Sequence, residues 1–288
     1  MISVIVAFHE MEREAPRTLY SLSTNYQRNL SVDDYEVIAV DCGSANPLDH
    51  EMVRGFGPNF RLLRYGPDPS PAGSINAAAK QAKGEALMIC IDGARILSPG
   101  IMDLTLSAIR KFDDPVVATL AFHLGPKVQN LSILDGYDRS VEDELLATID
   151  WQHDGYELFK ISSLALSSRM SWKALPTESN CVTMSTEKYW RLGGMDEAFR
   201  SPGGGLLNPD FFLRACSIPG VRVLLLGEAT FHQFHGGVAT NVPKEKHPGP
   251  VFWDEYFQIR GKEFEFPDSE FELFGELPDQ ALPYWDRL

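Results

Sequence analysis

Two apolar runs of strand length end in an aspartate, and a third leads to a pair of histidines. Residues 35–40 run into Asp41, residues 86–91 run into Asp92, and residues 221–226 are followed by His232 and His235. In an open α/β sheet, ligands gather at the carboxyl ends of the strands, which places these four side chains as site residues. A nucleotide needs a group that hydrogen-bonds its base, and its diphosphate needs a metal or cations to neutralise it. Carboxylate oxygens and imidazole nitrogens at convergent strand ends serve both needs. A dinucleotide site of the Gly-x-Gly-x-x-Gly kind is disfavoured, because no such turn follows the first strand-like run. His9 and Glu10 end that first run and stand where they could line a base pocket. Turn residues carry the same letters, as does Asp-Gly at Asp92-Gly93, so both readings stay open at this point.

The elements that must position these residues alternate. Residues 2–7 are a β-branched run of the kind that fills the middle of a parallel sheet. A helix is predicted from about Pro16, a first-turn position, through Leu19, Leu22 and Tyr26. Strands follow at 35–40 and 61–65. A helix is then marked by Ala72, Ile75, Ala79 and Ala82 and stops at Gly84, and the strand 86–91 delivers Asp92. This order predicts an α/β chain with a doubly wound sheet. Beyond it come a helix at 101–112, a strand at 116–122 and an irregular segment at 123–160 placed over the site. A strand at 159–166, a helix at 186–192, a helix starting at 211–216 and a last core strand at 221–226 complete the pattern. From residue 244 the chain turns acidic and aromatic, which predicts a tail docked on the domain or on a second subunit and leaves a homo-oligomer open.

Composition narrows the partners. Against 40 Asp and Glu there are 26 Lys and Arg, a net charge of −14. Nucleic-acid backbones and anionic membrane surfaces need a cationic footprint, so neither is expected as the main partner. Cys42, Cys90, Cys181 and Cys216 are widely spaced and form no zinc-like pairs, which suits a reducing compartment. No secretory signal is visible, and no run approaches the roughly 18 apolar residues of a membrane span. A cytoplasmic location is expected.

Four stretches resemble one family. Ile2-Ser-Val-Ile-Val-Ala-Phe-His9, Thr18-Leu-Tyr-Ser-Leu22 and Val37-Ile-Ala-Val-Asp-Cys-Gly-Ser44 are similar to the opening of the family 2 glycosyltransferases of GT-A fold. Asn76, Gly84-Glu85 and the strand into Asp92 resemble that family's approach to its Asp-x-Asp motif. Leu192-Gly-Gly-Met-Asp-Glu-Ala-Phe199 resembles its Gly-Gly-Phe-Asp-Glu-x-Phe acceptor-side segment. The resemblance covers roughly residues 1–240 and implies a GT-A-like open, mostly parallel sheet with helices on both faces. Residues 1–122 would be a nucleotide-binding half and 123–243 an acceptor half, with 244–288 as an extension. It implies transfer of a sugar from a nucleotide diphosphate sugar to a saccharide or glycoconjugate hydroxyl with inversion, in building a cell-surface polysaccharide or another glycoconjugate. Ala7, His9, Glu10, Asp41, Asn76, Asp92 and Gly93 would then bind the nucleotide sugar. Asp196 and Glu197 would face the acceptor, and Asp92, His232 and His235 would hold Mn²⁺ or Mg²⁺.

The chain departs from that pattern at two places. Asp92-Gly93-Ala94 lacks the second carboxylate of Asp-x-Asp, which weakens the set of oxygen ligands for a hard cation. Aligning on Arg214 puts Leu207 and Asn208 where the family's Glu-Asp pair supplies the general base, and an amide has no useful basicity near neutral pH. Asp210, two residues on, is the remaining candidate base. A catalytically degenerate nucleotide-sugar-binding or scaffold protein of the same fold is the alternative these departures motivate.

Overall fold

The computed structural model describes residues 1–286. Arg287 and Leu288, the end of the expected extension, lie outside the described residues. Strands β1 (Ile2–Phe8), β2 (Tyr35–Cys42), β3 (Phe60–Tyr65) and β4 (Ala86–Cys90) pair in parallel in the order β3-β2-β1-β4. Helices α1 (Ala15–Ser21), α2 (His50–Arg54) and α3 (Ala72–Ala79) make the crossovers. Every residue of β1 is buried, as a strand covered on both faces must be. Val4, Val6 and Phe8 face one core with Leu19, Val53 and Met102, while Ile5 and Ala7 face the other with Ile75 and Ala78.

The second half extends the same sheet. β5 (Arg95–Leu97), α4 (Ile101–Lys111) and β6 (Val116–Leu124) lead to two short helices, α5 (Gln129–Ser132) and α6 (Arg139–Leu146). β7 (Ser162–Leu164) pairs with the end of β6, and β8 (Val182–Ser185) enters antiparallel between β4 and β6. Helices α7 (Thr186–Arg191) and α8 (Leu207–Ser217) precede β9 (Arg222–His232), which runs parallel to β6.

Several local expectations shift. The first helix stops at Ser21, and Tyr26 lies in the turns beyond it, packed edge-on against Tyr20 and Trp151. Residues 123–160 are not irregular throughout, since α5 and α6 form there. Of the strand expected at 159–166, residues 159–161 close a tight helical turn, Gly155–Ile161, and only β7 forms a strand. The last core strand does not end at Leu226. Gly227, at φ +78°, takes the left-handed conformation that glycine adopts without a Cβ clash, and the register against β6 shifts between Ala118 and Leu120. The strand therefore continues past the bulge, and His232 is its last residue rather than part of a following loop.

The extension packs onto the same body. Helix α9 (Gly249–Arg260) places Tyr256 in the main core beside Phe199, and β10 (Glu272–Gly275) adds a parallel edge strand to β9. The Tyr284 hydroxyl donates to the Phe159 carbonyl at 2.8 Å. No helix among the described residues is long and apolar enough to cross a membrane.

Candidate functional site

The turn after β4 and the end of β9 meet. Asp92 leaves β4 and Gly93 follows in very close contact with β1, its N–H donating to the Ala7 carbonyl at 2.8 Å. A Cβ at Gly93 would fall 2.3 Å from the Phe8 ring and 2.6 Å from the Ala7 oxygen, so only glycine fits this approach. The chain then forms β5, which lies antiparallel on β9 with Arg95 opposite His232. Asp92, Arg95, His232 and His235 are thereby brought into the wall of one cleft of about 710 Å³, with Ala7, His9 and Glu10 at the end of β1.

Within this group, one ligand atom each from Asp92, His232 and His235 lies within 4.8 Å of the others. Asp92 Oδ2 is 3.2 Å from His232 Nε2, and Asp92 Oδ1 is 4.0 Å from His235 Nε2. Arg95 Nε donates to Asp92 Oδ2 at 3.1 Å, and the Ala94 N–H donates to Oδ1. Burial alone would raise the Asp92 carboxyl, but His232 and His235 where protonated, and the permanently charged Arg95, hold it well below the usual carboxylate range. Burial pushes His232 down to about 4 against the pull of Asp92, and lowers His235 in the same way. These shifts bias Asp92 toward the carboxylate and both imidazoles toward the neutral form.

The tautomer of His232 follows from its neighbours. Gln129 Nε2 donates to the His232 carbonyl at 3.0 Å, which fixes its amide and turns Oε1 toward His232 Nδ1 at 2.7 Å. Nδ1 is therefore the N–H, and Nε2 points a lone pair at the ionised Asp92 Oδ2. Two acceptors facing each other at 3.2 Å repel unless a metal ion or a proton on Nε2 lies between them. The residues present thus fit a divalent metal, and their N₂O donor set suits Mn²⁺ or a borderline transition ion better than Mg²⁺.

The loop that carries His235 is held from several sides. Asn241 Oδ1 accepts the N–H groups of His235, Gly236 and Gly237, and Asn241 Nδ2 donates to Gln129. Glu142 Oε2 accepts the Phe234 N–H at 2.7 Å, and Arg139 donates to the His235 carbonyl at 3.0 Å. Segment 123–160 therefore acts at the site through α5 and α6, by fixing this loop.

Other expected residues stand elsewhere. Asp41 is buried outside the cleft wall, with its oxygens accepting the Ser44 and Leu48 N–H groups at 2.9 and 2.8 Å. It shapes the loop whose Ser44 hydroxyl accepts the Glu10 N–H. Gly93 is a packing residue beneath the cleft. Asn76 accepts from Tyr189 and the Met195 N–H and donates to the Met195 carbonyl and Glu197, which makes it a clamp on the Gly-Gly-Met-Asp-Glu segment. Asn76, Asp196 and Glu197 line a smaller pocket of about 370 Å³ with Arg214 and Arg260. The two cavities share no lining residue.

Asp210 stands with both carboxylate oxygens engaged by arginines. Only 1% exposed, it accepts from Arg214 Nε at 2.7 Å and from Arg260 Nε and Nη2 at 2.6 and 2.7 Å. Because Arg260 also pairs with Asp196 at 2.7 Å, Asp210 ties α8 and the acceptor-side segment to α9. Asp210→Asn should cost about 3–5 kcal/mol of unfolding free energy in urea melts, the range for breaking a buried pair and leaving its partner charged.

The cleft holds an acid that local patterning missed. Glu178 lies in its wall beside Asn180 and Asn208, and Asn208 Nδ2 donates to Glu178 Oε2 at 3.2 Å. Burial raises the Glu178 carboxyl above its ordinary range, with Arg95 opposing. Asn208, at the expected Glu-Asp position, thus orients a carboxylate from another segment.

Comparison with known proteins bears on this geometry. Residues 3–120 match the model of Glycosyl transferase family 2. The chain is similar to S. aureus TarS at 14% identity, with a TM-score of 0.50 over 81% of this chain and 36% of that one. Against S. aureus TarS 1-349 in complex with UDP the TM-score is 0.51 at 14% identity, over 80% of this chain and 57% of that one. The chain spans less than two thirds of either TarS chain, and at this identity the likeness shows the fold. None of the curated proteins compared matches. The family match over residues 3–120 covers less than half of the chain, so that stretch is similar to glycosyl transferase family 2 on a fold shared with TarS.

Proposed function

We propose that this protein transfers a sugar from a nucleoside diphosphate sugar to an acceptor hydroxyl with inversion, using the cleft between β1, β4 and β9. The observation that supports this best is the convergence of Asp92, His232 and His235, with ligand atoms within 4.8 Å of one another, at the wall of a cleft large enough for a nucleotide sugar. When bound there, a divalent cation neutralises charge on the leaving diphosphate. Asp92, His232 and His235 would hold it, with Mn²⁺ favoured over Mg²⁺. Ala7, His9 and Glu10 line the end of the cleft that would receive the nucleoside.

Glu178 is the candidate general base. Its raised carboxyl lies closer to neutral pH than an exposed one, which suits proton transfer from an alcohol. In a single displacement, the acceptor O–H gives its proton to Glu178 as the acceptor oxygen bonds to the anomeric carbon. The bond from that carbon to the diphosphate oxygen breaks with its electron pair on the diphosphate. One base and no enzyme nucleophile are needed, and the configuration inverts.

Thermal melting with UDP, GDP, CDP and dTDP, each with and without Mn²⁺ or Mg²⁺, tests the reading. UDP is the first to try, since a TarS structure of this fold is a UDP complex. A ligand at a hundred times its dissociation constant adds about 2.7 kcal/mol, a readily visible shift. A metal-dependent rise with one diphosphate is expected, and no rise with any of them would sink the proposal. Metal-dependent binding with no sugar transfer to any acceptor would assign the degenerate binding protein instead, a reading that the buried Ala94 favours.

A further inference from the structure

We propose that Arg95 is the chain's own cation for the leaving diphosphate, a phosphate anchor that works beside the Asp92, His232 and His235 group and does not require a metal bound there. This rests on the nucleoside diphosphate reading above. Arg95 forms part of the cleft wall and is only 6% exposed. Its Nε is bonded to Asp92, and its Nη1 is sealed from solvent with no acceptor. A charged donor left unpaired in a poorly solvated wall is costly to keep, and a phosphate oxygen entering the cleft would satisfy it.

The charge inventory of the cleft leads to the same residue. Glu10, Asp68, Asp92 and Glu178 put four carboxylates in the lining, and among the described residues Arg95 is the only Arg or Lys there. A diphosphate entering such a field meets repulsion that a single divalent ion only partly offsets. Arg95 supplies the second positive charge, fixed in place because β5 pairs with β9 and sets Arg95 opposite His232. Its planar fork matches phosphate oxygens in a way that a lysine ammonium does not. The neighbouring residue shows what the chain does without. Ala94, where a second carboxylate would stand, is fully buried in the apolar core. One residue on, a cation lines the cleft.

Calorimetric titration of the full chain with UDP and with uridine, in Mn²⁺ and in EDTA, tests this with wild type, Arg95→Met and Arg95→Lys. In EDTA the wild type should bind UDP about tenfold more tightly than uridine, and Arg95→Met should erase that difference while leaving uridine binding unchanged. Arg95→Lys should keep part of it, and this variant decides the matter if the methionine variant does not fold. UDP binding as tight in Arg95→Met as in wild type would overturn the proposal. So would an equal loss of uridine and UDP affinity, which would mark a merely structural role. Wild-type UDP binding that vanishes wholly in EDTA would overturn Arg95 alone. Failure of the wild type to bind UDP, GDP, CDP or dTDP even with Mn²⁺ would overturn both this and the functional reading.

Discussion

Asp92→Asn is expected to abolish the metal-dependent stabilisation by nucleoside diphosphate and to lower sugar transfer roughly a thousandfold. The substitution keeps the shape and removes the charge. Three neighbours depend on that charge: Arg95 at 3.1 Å, His232 at 3.2 Å and His235 at 4.0 Å. With a neutral amide, the two imidazoles lose the anion that completes a metal site, and Arg95 loses its charged partner. The fold should survive, because the Ala94 N–H still finds an oxygen at the same position and Gly93 still closes on β1. The measurement is release of nucleoside diphosphate from the sugar nucleotide that the thermal screen selects, at saturating Mn²⁺. Activity within a few-fold of wild type would remove Asp92 from the site.

The second large effect is expected at Glu178. Glu178→Gln should lower turnover by about 10²–10⁴-fold, the usual contribution of a positioned base, while nucleotide affinity changes little. Asn208 would still hydrogen-bond the amide oxygen, so the local structure is kept. The pH profile separates a base from a structural acid. A base must be ionised to work, so the wild-type rate should fall as pH drops through the raised carboxyl of Glu178. That acid limb should lie above the range of an exposed carboxylate and should vanish in Glu178→Gln. A variant that keeps the limb, or keeps turnover, would assign the base elsewhere.

What could be read from the sequence depended on how local the signal was. The strand into Asp92 was legible because an apolar run ending in an acid carries its own period and its own stop. Its place at the cleft followed from the α/β order alone. His232 and His235 were legible as a pair, but not as the end of a strand, because the bulge at Gly227 interrupts the apolar run. Arg95 and Glu178 were not legible. Arg95 reaches the cleft only because β5 pairs with β9, a contact between residues 95 and 232, and Glu178 lies in a segment with no periodicity.

Asn76 and Asp210 show the opposite ambiguity. An asparagine or aspartate has the same letter whether it meets a ligand or an internal partner. Here Tyr189, Met195 and Glu197 occupy Asn76, and Arg214 and Arg260 occupy Asp210. Arg260 belongs to the acidic-aromatic extension, whose helix could not be registered against α8 from composition.

The most direct test of the account is donor turnover by the purified protein. Each nucleoside diphosphate sugar of a panel is incubated with Mn²⁺ and with EDTA, and release of free nucleoside diphosphate is followed for wild type and Asp92→Asn. Release from one donor class that requires the metal and disappears in Asp92→Asn is the predicted result. Binding of no nucleotide and release from no donor, with a properly folded protein, would contradict the claim that this cleft works on nucleotide sugars.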